Sequence, residues 1–123
     1  MSSNAEESTL FGSAEEAKAL SPQDKLMLQE HEAAVNLANE GKHADALTKY
    51  NAAVSGTAED AARLPAFLTN RAHTLISLEK LDEAMADCTR AVKLEPKCVP
   101  AYLAHAKALS YEGKLQQALD LLR

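Results

Sequence analysis

The side chains able to do chemistry in this 123-residue chain are few and scattered. Its histidines are His31, His43, His73 and His105, and its cysteines are Cys88 and Cys98. A metal ion needs ligands that converge, which on one helix means an i, i+4 pair. No two histidines have that spacing, and no Cys-x-x-Cys occurs. Serines and carboxylates are plentiful, yet no nucleophile motif and no phosphate-cradling glycine loop accompanies them. The pattern implies no enzyme, no metal and no cofactor. What it offers is recognition chemistry, hydrogen-bonding groups set among apolar side chains.

Hydrophobic spacing defines the elements that carry these groups. From Asn70 to Pro96, Ala72, Leu75, Ile76 and Leu78 recur at helical spacing. Leu81, Ala84, Met85, Cys88, Ala91 and Val92 then do so again. Pro96 ends the second run, because proline has no N–H and restricts the residue before it. The same pair of helices is written once before this stretch and once after it. Ala34, Ala72 and Ala106 share one column, and Leu37, Leu75 and Leu109 another. Ala46, Ala84 and Ala118 share a third, and Gly41, Glu79 and Gly113 the turn. The second and third copies are 34 residues apart at every column. The first and second are 38 apart, which places four inserted residues between Gly56 and Leu64.

These columns predict six helices. Ser21-Pro22-Gln23-Asp24 starts the first with a capping serine, a proline at the first helical position and an aspartate at the positive end. It should run to about Glu40, with Gly41-Lys42 as the turn. The second spans about Ala44–Ser55, the third Ala66–Glu79 and the fourth Asp82–Leu94. The fifth starts near Pro100 and ends near Glu112, and the last starts near Leu115. In the insertion Thr57 is placed to cap a helical turn, and Pro65 either opens the third helix or kinks a longer one. Residues 1–20 read as a disordered or partly helical leader, acidic and poor in large apolar residues apart from Leu10 and Phe11. The sixth helix stops short, leaving Leu119, Leu121 and Leu122 on or beside an open end of the stack.

Composition narrows the partners. A net charge of −5 argues against nucleic acid and anionic membrane surfaces. No apolar run is long enough to span a bilayer. The acidic N-terminus lacks the basic and apolar regions of a secretory signal, and two cysteines without such a signal point to a reducing, cytoplasmic location. Cys88 falls at an inward position, where it acts as a small hydrophobe, and Cys98 falls in the exposed turn after Pro96.

A 34-residue helix–turn–helix period with small residues at close approaches resembles the tetratricopeptide repeat. The resemblance covers the chain from about Met27 onward. It implies an all-α fold of three stacked helix pairs, a short right-handed solenoid over residues 21–123 with its last repeat truncated. The repeats would be about 27–60, 65–98 and 99–123. It also implies a concave groove lined by the first helix of each repeat. The groove residues mapped onto this chain are His31 and Val35, then Asn70, His73 and Ile76, then Leu103, Lys107 and Tyr111. Thr69-Asn70-Arg71-Ala72 and Asp87-Cys88-Thr89-Arg90-Ala91 look like the co-chaperone branch, which includes Hsp70/Hsp90-organising and UNC-45-like proteins. Many of its members grip an acidic chaperone tail with a five-residue basic clamp. Here the clamp positions are His31, Val35, Asn70, Pro100 and Ala104, and only Asn70 matches. The resemblance therefore implies an adaptor or scaffold that binds a protein or peptide partner, without an intact clamp. Two alternatives stay open. One is a receptor for acidic chaperone tails through a clamp rearranged around Lys107 and His73. The other is a structural spacer or self-association unit using the open C-terminal face, for which light scattering should show a dimer removed by polar residues at Leu119 and Leu122. If His31 and His73 contact an acidic ligand, lowering the pH from 7.5 to about 6 should tighten binding.

Overall fold

The computed structural model describes residues 20–113 and 115–122. Within them the chain is helical: α1 (Pro22–Asn39), α2 (His43–Ser55), α3 (Leu64–Ser77), α4 (Leu81–Leu94), α5 (Val99–Tyr111) and α6 (Leu115–Leu121). Each odd-numbered helix packs on the even-numbered helix that follows it. Each even-numbered helix packs in turn on the next odd-numbered one, and α3 touches both α1 and α5. The odd-numbered helices thus form one layer, and the expected all-α stack is what the structure contains. The leader expected over residues 1–20 lies outside the described residues apart from Leu20.

Small residues make this stacking possible. Ala34, Ala46, Ala72 and Ala84 are fully buried, and Ala106 is nearly so. A methyl side chain lets two helix backbones come close enough for larger neighbours to fill the flanking gaps. Leu64, Phe67 and Leu68 fill the centre between the first and second pairs, against Met27, Ala53, Ala91 and Ala101. Cys88 is fully buried beside Leu75 and Ala84, and burial, then Asp87 and Cys98, pushes its thiol up to about 12. It packs as a hydrophobe and is not a reactive thiolate.

The turns follow from local chemistry. Ser21 caps α1 by accepting from the Asp24 N–H at 3.1 Å, and Asp24 returns the contact to the Ser21 N–H at 3.3 Å. Together they form a capping box. At the far end of α1 the Lys42 N–H donates to Leu37 O at 2.9 Å and the Gly41 N–H to Ala38 O at 3.0 Å. That pattern needs a left-handed residue, and Gly41 has φ +81°. The equivalent turn after α3 repeats the bonds, Lys80 to Leu75 and Glu79 to Ile76, but the left-handed residue is Glu79 at φ +62°.

The structure settles the insertion. Pro65 sits in the first turn of α3, which begins at Leu64, two residues before the expected start. Thr57 does not cap a new helix. Its buried hydroxyl donates back to Ala53 O at 2.6 Å and closes α2. The segment over residues 58–63 is a series of turns tied down by Arg63 to Asp24 at 3.1 Å and by Arg90 to Glu59. Gly56 lies so close to α1 that a Cβ there would overlap Met27 Sδ.

Candidate functional site

The concave layer of α1, α3 and α5 carries the mapped groove residues, and the structure separates them into different roles. His31 is half-buried between helices. Its ring stacks on Phe67 with centroids 4.2 Å apart and planes 20° from parallel, and meets Tyr50 edge-on at 5.6 Å. The Asn70 side-chain N–H donates to His31 Nε2 at 3.0 Å, which places the ring proton on Nδ1. Burial holds the imidazole below the ordinary histidine value. His31 is therefore a neutral packing residue that ties the first helix pair to the second, and Asn70 is its hydrogen-bond partner.

Ile76 is also removed from the groove. It is 5% exposed and packs with Ala104 and Ala108, because α5 lies across that face of α3. Ala104, a clamp position, is fully buried in the same contact. Val35 is half-buried against Ala34, Ala46 and Tyr50. Leu103 and Tyr111 are 52% and 64% exposed, and Lys107 is exposed between them. His73 is held below the ordinary value by burial and then by Lys107. Both mapped histidines thus stay neutral at lower pH than the sequence alone implied.

Two cavities open along this face, one on either side of Asn70. The first, about 220 Å³, lies where α1, α2 and α3 meet. Val35 and Ala38 form an apolar wall, and Asn70, His73 and Thr74 line the α3 side. Exposed Asn39 and Ser77 stand at its edge. Tyr50 lines it as well. His43 enters from the start of α2 with Nδ1 buried and without a hydrogen-bond partner. Among the described residues no carboxylate, lysine or arginine lines this cavity. The second, about 290 Å³, lies between the starts of α3 and α5, with Pro65, Ala66 and Pro100 as apolar walls and Glu95 and Cys98 beside them. Cys98 is half-buried, not exposed as its turn position implied, and its Sγ lies 3.8 Å from the Thr69 hydroxyl.

Sequence mapping missed His43, Phe67 and Thr74. His43 belongs to a second helix of a pair, so a map drawn from the first helices passes over it. Phe67 falls at an inward position, and only the fold shows that it carries His31.

Arg71 grips Asp87 with two bonds of 2.7 Å and reaches Asn51 at 3.2 Å, joining α3 to α4 and α2. Among the described residues no cluster of three or more potential metal ligands occurs, and no helix is long and apolar enough to cross a membrane.

Residues 65–98 match the tetratricopeptide repeat family. Mouse sperm-associated antigen 1 is 41% identical over 54 residues, 44% of this chain and 6% of that protein. The rat mitochondrial import receptor subunit TOM70 is 42% identical over 69 residues, 55% of this chain and 11% of that protein. The human TOM70 is 38% identical over 90 residues, 69% of this chain and 15% of that protein. The chain thus spans at most about a sixth of the length of these relatives. In three dimensions it is similar to the second TPR of Spaghetti (RPAP3) bound to the HSP90 peptide SRMEEVD. The TM-score is 0.71 with 23% identity, over 80% of this chain and 88% of that one. The first TPR of Spaghetti, bound to the same peptide, gives 0.69 with 26% identity, over 77% and 74%.

Proposed function

From the premise that this chain is built of tetratricopeptide repeats, we propose that it is a non-catalytic, cytosolic adaptor whose concave face binds a peptide or helix of a partner protein. One observation carries this reading. The layer of α1, α3 and α5 presents two cavities that share Asn70, and α5 exposes Leu103, Lys107 and Tyr111, which together give anchoring pockets and hydrogen-bonding groups without a reacting constellation among the described residues. Anchors of this kind suit an extended or helical segment laid across several helices.

The charge of the face sets the ligand class. A terminal carboxylate gripped away from water needs fixed cationic donors. Of the mapped clamp positions, His31 is neutral and already bonded, Val35 and Ala104 are packed, and Pro100 has no donor. Lys107 is the cation among the mapped groove positions, while Glu32 is exposed on α1 and Glu95 lines the second cavity. The preferred ligand is an internal segment with apolar and neutral polar side chains. The likeness to RPAP3 repeats that hold an HSP90 peptide favours a second reading, an acidic-tail receptor built around Lys107 and His73.

A display selection with random peptides tests the main reading. Enriched peptides should bind with micromolar Kd, and Leu103→Glu should weaken them at least tenfold. Failure to enrich any peptide, or enriched peptides indifferent to Leu103→Glu, would overturn it. Leu119 and Leu122, 47% and 52% exposed on and after α6, leave self-association as a separate structural reading for light scattering.

A further inference from the structure

We propose that the cavity between the starts of α3 and α5 is the docking site of the chain's own N-terminal segment, with Leu10 and Phe11 as the side chains that enter it. The inference rests on the peptide-binding reading above and names one ligand for that face. Place is the first argument. The N-terminal segment joins the described fold at Leu20 and Ser21, and Ser21 caps α1. Asp24, in the first turn of α1, holds Arg63 at 3.1 Å. Arg63 immediately precedes α3, whose Pro65 and Ala66 wall the cavity. The segment therefore enters the fold at the end of the layer where this cavity opens. The chain from Phe11 to Ser21 spans up to about 33 Å when extended. Crossing from α1 over α3 to α5 takes two interhelical steps, about 20 Å in all, so Phe11 has the reach.

Composition is the second. The cavity, about 290 Å³, has Ala62, Pro65, Ala66 and Pro100 as apolar walls and Glu95 as a charged group beside them. In the N-terminal segment residues 8–14 carry no charge and are set between Glu6-Glu7 and Glu15-Glu16. Leu10 and Phe11 stand at the centre of that run, which has the apolar and neutral polar character this face prefers. With Phe11 in the cavity, Glu7 and Glu15 lie about 13 Å away along an extended chain, so neither is forced against Glu95. Exposed Leu103, one helical turn beyond Pro100 on α5, extends the apolar surface for Leu10. Tethering is the third. A short connection holds its ligand at an effective concentration in the millimolar range, so even a weak contact stays populated. A partner's segment must displace it.

Cys98 lines the cavity and reports on its occupancy, because Cys88 is fully buried with its thiol pushed up to about 12. The test is alkylation of the native full chain by iodoacetamide, with the modified cysteine identified by peptide mass. The double variant Leu10→Ser, Phe11→Ser should raise the Cys98 rate at least about twofold, while Cys88 stays unmodified and so reports an intact stack. A free peptide of residues 8–14 at millimolar concentration should slow Cys98 of the variant again. The same peptide with serine at both anchor positions should not. The parent's rate should be independent of protein concentration, since the contact lies within one chain. Display peptides should bind the variant at least about twofold more tightly than the parent. Equal Cys98 rates in parent and variant, or no protection by the free peptide, would overturn the proposal. So would protection that grows with protein concentration, which marks the segment of a second copy. If display peptides bind parent and variant equally, the docking falls and the groove reading stands. If the segment shields Cys98 and no display peptide binds either protein, the docking stands and the partner reading falls.

Discussion

His31 shows how one residue can look like a ligand contact and be a structural part. Its ring is held by Phe67, Tyr50 and the Asn70 amide. Protonating Nε2 would set a donor against a donor and place a charge where burial disfavours it. The sign of the pH effect follows. Burial lowers the folded-state pKa of His31, and likewise those of His73 and His105, so the unfolded chain binds more protons as the pH falls. The stabilisation is present above about pH 6.5 and is lost as the pH falls from there through the lowered folded-state values. The urea midpoint should therefore fall between pH 7 and 5, before carboxylate titration contributes. His31→Leu should flatten that slope. An unchanged midpoint over this range would show that the ring is solvated.

At the scale of elements, the turn column made of Gly41, Glu79 and Gly113 carries a specific cost. All three have positive φ, near +81°, +62° and +80°. Only the middle one has a Cβ, and a left-handed L-residue is disfavoured by about 1–2 kcal/mol. Glu79→Gly should therefore stabilise the chain by about 0.5–1 kcal/mol after the added flexibility of the unfolded glycine is allowed for. Denaturant unfolding reads this directly, and a loss of stability would contradict it. The column was legible in the sequence as a repeat position, as were the alanines that let helices approach and the capping serine of α1. The groove was legible only in part. Spacing assigns a residue to a helix face but not the neighbour that will cover it. Ile76 and Ala104 lie on the mapped face and are buried because α5 crosses α3 there. His43 was invisible to the mapping because it reaches the cavity from α2.

For the whole molecule, three stacked helix pairs create a concave layer whose chemistry is neutral where charge-gripping relatives need cations. The fold is shared with repeats that hold SRMEEVD, so shape alone does not decide the ligand. The decision lies in the donors. One exposed lysine cannot replace several converging cations against a tail bearing two glutamates, an aspartate and a terminal carboxylate, and Glu32 on α1 and Glu95 at the second cavity work against such a tail. The direct measurement is a calorimetric titration of this chain with SRMEEVD at low salt, where electrostatic attraction is least screened. No saturation is expected up to about 1 mM. A Kd near 10 μM, about −7 kcal/mol, would contradict it and place the acidic-tail contact on Lys107 and His73.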